Sequence, residues 1–276
     1  MAERTVAVLG LGLIGGSLAR DLSDLGHRVL GHDAEASVLA TAREEGCVQA
    51  ALPQDLGGIE DADVVVLAVP VASAPELLRR VAPRLRASLV TDVGSTKRSI
   101  LEAAAAAGIA HRFVGGHPLT GDHRSGWTAS RPGLFRGAPV FLCPAPGASP
   151  SALEDAHALW RSVGAEPETA DAVEHDARMA WVSHLPQAAA SALALAICAS
   201  GLDVSLLGPG GRDATRLAAS PAALWLDILL DNADNVEPAL AALEGSVAQL
   251  REALRRRDGV ALARLLTSAK GWKDGG

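Results

Sequence analysis

The chain has 276 residues, of which 49% are hydrophobic and 3% aromatic, and its formal net charge is −7. This length is enough for one large domain or two ordinary ones with a sizeable core. The acidic balance argues against a nucleic-acid-binding protein that uses a broad basic face. Three scattered cysteines without a C-x-x-C pair argue against a disulfide framework and a zinc site, so no metal is expected.

A predicted strand begins within four residues of the N-terminus, which leaves no room for a signal peptide. No stretch is long and uncharged enough to predict a membrane span. We therefore expect a soluble, cytoplasmic protein that acts without a membrane.

The first motif joins a strand to a helix through glycines. The apolar run Val6–Leu9 predicts a buried parallel strand, and Gly10, Gly12 and Gly15 follow it in the spacing G-x-G-x-x-G. In this motif the first glycine allows a tight turn, the second lets the backbone approach a pyrophosphate, and the third lets the helix pack closely. The pattern predicts a dinucleotide site, although glycines of this spacing can also serve only the turn.

The helix that follows is expected to begin near Leu13, so that the N–H groups at Leu13 and Ile14 face the phosphates. A second predicted strand, His27–His32, ends at Asp33. A carboxylate there can accept hydrogen bonds from an adenosine ribose and repels a 2′-phosphate, which favours NAD over NADP. The sequence therefore predicts NAD as the cofactor.

Strands and helices alternate as far as residue 170, which predicts a Rossmann-type, doubly wound, mostly parallel α/β sheet of six to eight strands. The third long strand ends at Val69 and Pro70, on the edge where such sheets bind ligands. From residue 171 the pattern is helical. We expect an NAD-binding domain over residues 1–170 and an all-α substrate and dimerisation domain over 171–276.

Two polar positions follow later strands of the α/β half. Ser95 and Thr96 precede the predicted helix Arg98–Ala107, so they are interpreted either as helix N-caps or, for Ser95, as a group at the mouth of the cleft. His117 has glycine and proline on both sides, where the backbone is tightly specified and no apolar face could hold the ring. This setting favours a functional role for His117.

The helical half begins with the segment 172–200, which is almost entirely small and apolar after Arg178. Pro186 removes a backbone hydrogen bond and predicts a kink just after His184. So apolar a helix needs a cover, and a second copy of the same domain would supply it, giving a homodimer.

A glycine-rich loop and a helix start then bring Arg212, Asp213 and Arg216 together. Asp213 can pair with Arg212, whereas Arg216 has no acid three or four residues on. Arg216 is therefore the better candidate for bidentate binding of an anionic ligand. The next predicted helix carries Trp225.

The successive motifs resemble those of the prephenate/arogenate dehydrogenase family over residues 4–240. They are Gly10–Ser17, Asp92–Lys97, Gly115–Gly121, Ser183–Pro186, Arg212–Arg216 and Trp225–Ile228. The resemblance implies a Rossmann domain with a helical dimerisation domain. It also implies NAD-dependent oxidative decarboxylation of a cyclohexadienol, prephenate or arogenate, in tyrosine biosynthesis.

The resemblance also implies roles for single residues. His117 would accept the proton of the ring hydroxyl, and Ser95 would hydrogen-bond the same hydroxyl. Arg216 would bind the carboxylate of the substrate side chain, and Trp225 would shape its pocket. Two further substrate-binding positions lie near that side chain in the family, where some members have a second histidine or an acid. This chain has Gln187 and His123 there, which leaves the choice between prephenate and arogenate open.

Two alternatives remain at this stage. One is another dehydrogenase with a Rossmann and a helical domain, acting on a hydroxyacid or an imine. Such enzymes usually rely on a lysine in the helical domain or on a hydroxyl donor, and no lysine lies between Lys97 and Lys270. The other is a regulatory protein that binds NAD without turnover, in which His117 would be incidental.

Overall fold

The computed structural model describes residues 3–121 and 124–275. Within these ranges the strands are β1 (Thr5–Leu9), β2 (Arg28–His32), β3 (Ala50–Ala51), β4 (Val64–Leu67), β5 (Leu89–Asp92), β6 (Phe113–Pro118), β7 (Pro139–Pro144) and β8 (Glu166–Thr169). The α-helices are α1 (Leu13–Asp24), α2 (Ala36–Glu44), α3 (Ala74–Val81), α4 (Arg98–Ala106), α5 (Pro150–Ser162), α6 (Ala172–Met179), α7 (Leu185–Ala199), α8 (Pro209–Thr215), α9 (Ala222–Asp231), α10 (Ala233–Arg256) and α11 (Gly259–Lys273). A π-helical turn, Ala180–His184, joins α6 to α7.

The strands form one eight-stranded sheet in the order β3-β2-β1-β4-β5-β6-β7-β8. Every neighbouring pair is parallel except β6 and β7. The strand order reverses between β1 and β4, and ligands of open α/β sheets bind in the crevice beyond such a reversal. The predicted Rossmann-type fold is confirmed, and only the two-residue strand β3 lies in a stretch where no strand was predicted.

Two apolar clusters in the first part of the chain account for the unbroken hydrophobic runs of the strands. Successive side chains of a strand point to opposite faces, and both faces of this sheet are covered. In β4, Val64 and Val66 enter one cluster, while Val65 and Leu67 enter the other. A central parallel strand must therefore be apolar at every position rather than at alternate ones.

The chain forms two compact units that interleave along the sequence. The first holds the residues up to 179 together with 219–232, and the second holds 180–218 and the residues from 233 onward. Helix α6 belongs to the first unit because its Asp176 accepts a hydrogen bond from the Lys97 backbone N–H at 2.8 Å. Asn232 also donates to the Asp176 carbonyl at 2.8 Å. These compact units are not divided at residue 170, and the predicted domain boundary there stays a prediction.

The second unit leaves much of its apolar surface uncovered in the single chain. Of the residues in α7, Gln187 and Ala190 are buried, whereas Leu195 is 71% exposed. The break predicted near Pro186 takes the form of the π-helical turn, and Pro186 itself lies in the first turn of α7, where a missing N–H is tolerated. By length and composition alone, the continuous helical stretch Ala172–Ala199 could cross a membrane. The same properties suit a helix that packs against another subunit.

Candidate active site

The glycine turn after β1 is built by close backbone approach. Gly10 has φ +98°, and a Cβ added there would lie 2.3 Å from the carbonyl oxygen of Ala68. A Cβ on Gly15 would lie 2.0 Å from the Gly10 carbonyl oxygen, so α1 can pack against the turn only with glycine there. A Cβ on Gly12 would meet nothing within 4 Å. The backbone at Gly12 is therefore open on its outer side, as a bound pyrophosphate requires.

The N-terminus of α1 begins at Leu13, as predicted, with Gly12 as its N-cap. Asp33 follows the last residue of β2, and its carboxylate accepts hydrogen bonds from the N–H groups of Leu11 at 2.7 Å and Glu35 at 2.9 Å. The carboxylate thus holds the turn and also keeps acceptor capacity, since its two oxygens offer about four positions. These residues fit an adenosine dinucleotide without a 2′-phosphate.

The other predicted cofactor residues are Ile14, Val69 and Pro70, and β4 ends at Leu67 rather than at Val69 and Pro70 as predicted. Ile14 is in the first turn of α1. A Cβ on Gly10 would lie 3.3 Å from Val69 Cγ1, so the segment after β4 closes on the glycine turn. Pro70 is exposed and precedes a short 3-10 turn, Val71–Ser73. These positions surround the crevice at the reversal of strand order.

His117 heads a chain of three buried side chains. It lies near the end of β6, with 9% of its surface exposed. Its Nδ1 lies 2.9 Å from Nε2 of His175, and Nδ1 of His175 lies 2.8 Å from Oδ1 of Asp176. His175 is 2% exposed, and its ring also makes an edge contact with Phe141. One ring nitrogen of His117 is thus connected through His175 to a carboxylate.

Asp176 also holds the start of α4. Its carboxylate accepts hydrogen bonds from the backbone N–H of Lys97 at 2.8 Å and of Arg98 at 3.0 Å. Burial opposes the charged form of Asp176. The hydrogen bonds from His175, Arg98 and Lys97 outweigh that burial and lower the pKa of Asp176 below its ordinary value. Asp176 is therefore a carboxylate at neutral pH.

The interpretation of Ser95 and Thr96 as N-caps of α4 is wrong. The N-cap position is Lys97, and its side chain makes no capping hydrogen bond. The hydroxyl of Thr96 instead donates to Asp231, and the helix N–H groups are satisfied by Asp176 from α6. Ser95 is half-buried in the turn after β5, and among the described residues its hydroxyl has no hydrogen-bond partner.

A second buried cluster supports the residue before His117. Lys97 and Asp92, both 1% exposed or less, form an ion pair. The Lys97 ammonium also donates to the Gly116 carbonyl at 2.7 Å, and the Gly116 N–H donates to Asp92 at 3.2 Å. A Cβ on Gly116 would lie 2.6 Å from the Asp92 carbonyl oxygen. Burial raises the pKa of Asp92, and the neighbouring ammonium opposes that rise.

The predicted substrate residues of the helical half are placed as follows. Arg216 is exposed at the start of the 3-10 turn Arg216–Ala219, and no hydrogen bond or ion pair joins it to a described residue. The expected pairing of Arg212 with Asp213 does not form, because Arg212 donates to the Leu207 carbonyl instead. Arg216 is thus an uncommitted cation within its own compact unit.

Gln187 is 4% exposed and makes one short hydrogen bond, from its Nε2 to the Leu217 carbonyl at 2.9 Å. Its Oε1 is buried and has no partner among the described residues. Trp225 is half-buried on α9, which packs against the Val71–Ser73 turn within the first unit. His123, the remaining predicted substrate residue, lies outside the described residues.

Sequence reasoning did not single out His175 or Asp176, and it named Asp92 and Lys97 only as the ends of a family motif, without a role. The sequence does hold a signal for His175 and Asp176. They are adjacent polar residues in a short helix, and polar side chains that become buried there need hydrogen-bond partners. Nothing local, however, indicates that this pair meets His117, since 58 residues separate the two histidines.

Both halves of the chain resemble known proteins. Residues 18–168 match the family model "Prephenate dehydrogenase, nucleotide-binding domain", and residues 171–268 match "Prephenate dehydrogenase, dimerization domain". Prephenate dehydrogenase of Bacillus subtilis is 31% identical over 98% of this chain and 76% of its own length.

Two solved structures are also similar. Prephenate dehydrogenase from A. aeolicus, crystallised with hydroxyphenyl propionate and NAD+, superposes with a TM-score of 0.91 and 29% identity, covering 100% of this chain and 99% of that one. Arogenate dehydrogenase of Synechocystis superposes with a TM-score of 0.83 and 30% identity, covering 98% of this chain and 99% of that one.

These likenesses extend over both halves of the chain. They confirm the predicted family, fold and NAD-dependent oxidoreductase class. The chain belongs to the prephenate dehydrogenase family, with a nucleotide-binding domain followed by a dimerisation domain.

Proposed function

We propose that this chain catalyses the NAD-dependent oxidative decarboxylation of a cyclohexadienol in tyrosine biosynthesis, and that arogenate is preferred to prephenate. The observation that carries the reaction is the buried chain from His117 through His175 to Asp176, in the same compact unit as the glycine turn. A neutral imidazole backed by a carboxylate is a suitable general base near neutral pH.

In the proposed reaction His117 takes the proton of the ring hydroxyl. NAD held by the glycine turn and Asp33 would supply the acceptor for the hydride on the carbon that carries this hydroxyl. Loss of the ring carboxylate as CO2 leaves its electron pair in the ring, which becomes aromatic, and the proton on His117 can then return to the phenolate oxygen. Because aromatisation drives the reaction, the residues of the chain have mainly to position the substrate and move one proton.

Ser95 and Arg216 supply the binding contacts in this proposal. The Ser95 hydroxyl, uncommitted among the described residues, hydrogen-bonds the substrate hydroxyl. Arg216, exposed and without a described partner, binds the side-chain carboxylate in bidentate geometry. Trp225 shapes the pocket, and a contact of His123 with the side chain stays a prediction.

The preference for arogenate rests on Gln187. Its Nε2 donates to the Leu217 carbonyl, which fixes the amide orientation and leaves Oε1 as a buried acceptor without a described partner. A buried unsatisfied acceptor is costly, so a ligand that donates a hydrogen bond there gains affinity. Arogenate carries an ammonium group in its side chain, whereas prephenate carries a keto oxygen, which can only accept.

The test is NADH formation by the purified chain with arogenate or prephenate, each with NAD or NADP. We expect turnover with NAD and a kcat/KM about tenfold to a hundredfold higher for arogenate, since a charge-assisted hydrogen bond contributes about 1.5–3 kcal/mol. The variant Gln187→Leu removes the acceptor and should abolish the preference. Turnover of neither substrate, with NAD still bound, would refute the proposed reaction.

We further propose that the chain is a cytoplasmic homodimer. The match to a dimerisation domain over residues 171–268 and the exposed apolar side chains of α7 support it. A second copy would cover these side chains and remove them from water. Analytical ultracentrifugation should give a dimer mass without detergent, and a requirement for detergent would favour the membrane alternative.

A further inference from the structure

We propose that His175 and Asp176 are positioning residues that fix the ring tautomer of His117, so that Nε2 of His117 is the atom that takes the substrate proton. This inference rests on the proposed function for its catalytic consequence, but the tautomer itself can be measured without substrate.

The direction of the hydrogen bonds from His117 through His175 to Asp176 follows from the carboxylate at the end of this series. Asp176 is a carboxylate and only accepts, so Nδ1 of His175 must carry the proton that bridges their 2.8 Å separation. A neutral His175 then has an unprotonated Nε2. Nδ1 of His117, 2.9 Å away, must be the donor to that nitrogen. The proton of neutral His117 therefore resides on Nδ1, and Nε2 is left as the base.

The groups around Asp176 keep it charged and so fix the direction of these hydrogen bonds. The carboxylate of Asp176 is held by the backbone N–H groups of Lys97 and Arg98 and by Arg98 Nε at 3.3 Å, all of them donors. The Arg178 guanidinium lies over the Phe141 ring, which in turn contacts the His175 ring. The charged side chains that contact Asp176 and Phe141 here, Arg98 and Arg178, are both cations. All these donors favour a charged Asp176 and hence the proton on Nδ1 of His175.

The arrangement also stabilises the charged state formed in the reaction. When Nε2 of His117 takes a proton, the ring becomes an imidazolium. Its Nδ1–H still donates to His175, and the nearby carboxylate offsets the new charge through that ring. Fixing the tautomer and stabilising the imidazolium are the two effects that a carboxylate has on the histidine of a serine protease triad.

Replacing Asp176 by Asn should reverse the chain of hydrogen bonds. If the asparagine NH2 points toward Arg98, it faces two N–H donors, the backbone N–H and Nε of Arg98. If it points toward His175, it faces one N–H donor, the backbone N–H of Lys97. The second orientation is favoured, and it makes Nδ1 of His175 an acceptor. The proton of His117 is then forced onto Nε2, the base atom, and kcat should fall about a hundredfold or more.

Two substitutions at His175 leave Asp176 intact and therefore separate positioning from folding. His175→Phe keeps a ring against Phe141 but offers no acceptor to His117, so kcat should fall about tenfold to a hundredfold and the pH profile of kcat/KM should shift. His175→Gln can donate to Asp176 through its amide nitrogen and accept from His117 through its oxygen. It should retain kcat within about tenfold of the wild type and nearer to it than His175→Phe.

The deciding measurement is the 15N spectrum of histidine-labelled protein at alkaline pH, in which protonated and unprotonated ring nitrogens have different shifts. The signals of His117 are identified by their loss in His117→Asn. We expect a protonated Nδ1 in the wild type and in His175→Gln, and a protonated Nε2 in Asp176→Asn. Melting temperature and NAD affinity show that each variant is folded.

A wild-type His117 protonated on Nε2 would overturn the proposal, as would equal activity in His175→Phe and His175→Gln. Inactivity of the wild type toward both substrates would refute the proposed function alone, because the tautomer is read from the spectrum without turnover.

Discussion

The groups around His117 and the groups around Arg216 differ in how completely the protein satisfies them. Asp92, Lys97 and Asp176 are buried, and each is paired within the first compact unit. In the second unit, Arg216 is exposed without a described partner, and the buried Oε1 of Gln187 is unsatisfied. A buried charge that lacks a partner is too costly to keep, whereas an exposed one is solvated.

In the proposed function, the fully paired groups support the proton transfer and the unpaired ones bind the substrate. The proton acceptor that we propose, His117, is held in place before any ligand arrives, because its supporting charges must be paired for the unit to fold. The recognition groups keep their hydrogen-bonding capacity for what binds to them. Four predictions follow from this contrast, ordered by the size of the expected effect.

His117→Asn should lower kcat by about 10²–10⁴-fold, which is the usual contribution of a general base. NAD affinity, measured by fluorescence titration, should not change, because the glycine turn and Asp33 are untouched. Retained turnover in this variant would show that the buried, paired side chains around His117 serve only the fold.

Lys97→Met should lower the free energy of unfolding by about 3–5 kcal/mol, since it leaves Asp92 buried and without its cation. The matched control is Arg255→Met, which breaks an exposed ion pair with Glu252 in the second unit and should hardly change the denaturation midpoint. Urea unfolding curves of the two variants compare the regions directly. Equal midpoints would contradict the contrast drawn above.

Arg216→Lys should raise KM for arogenate about tenfold to a hundredfold with a smaller change in kcat, because an ammonium cannot form the bidentate pair with a carboxylate. Arg212→Ala provides the control, since the Arg212 guanidinium already donates to the Leu207 carbonyl. Steady-state kinetics of both variants should show a loss only at position 216, and similar kinetics would assign the anion to another group.

The smallest effect concerns acid stability. The pKa of Asp176 is lowered in the folded state, so its stabilising contribution is fully present above the ordinary pKa of an aspartate and is lost as the pH falls through the lower folded value. The melting temperature of the wild type should therefore fall more steeply below about pH 4 than that of Asp176→Asn. Parallel melting curves in acid would mean that the pKa of Asp176 is not lowered.

Local patterns were enough for the nucleotide-binding turn. Gly10, Gly12, Gly15 and Asp33 lie within one strand–helix–strand stretch, and each is required by a backbone approach or a position at a strand end. Periodicity likewise predicted the strands, because a sheet covered on both faces needs unbroken apolar runs. The interpretation of Ser95 and Thr96 as N-caps failed because Asp176, far along the chain, caps α4 instead.

The sequence by itself therefore determined the fold class, the dinucleotide turn and the candidate base His117, since each depends on residues close together in the chain. Only the tertiary structure decided what supports that base. His175 and Asp176 come from α6, and Asp92 and Lys97 from the turn between β5 and α4. Their meeting depends on the packing of separate elements, and neither composition nor spacing encodes which buried charge will pair with which.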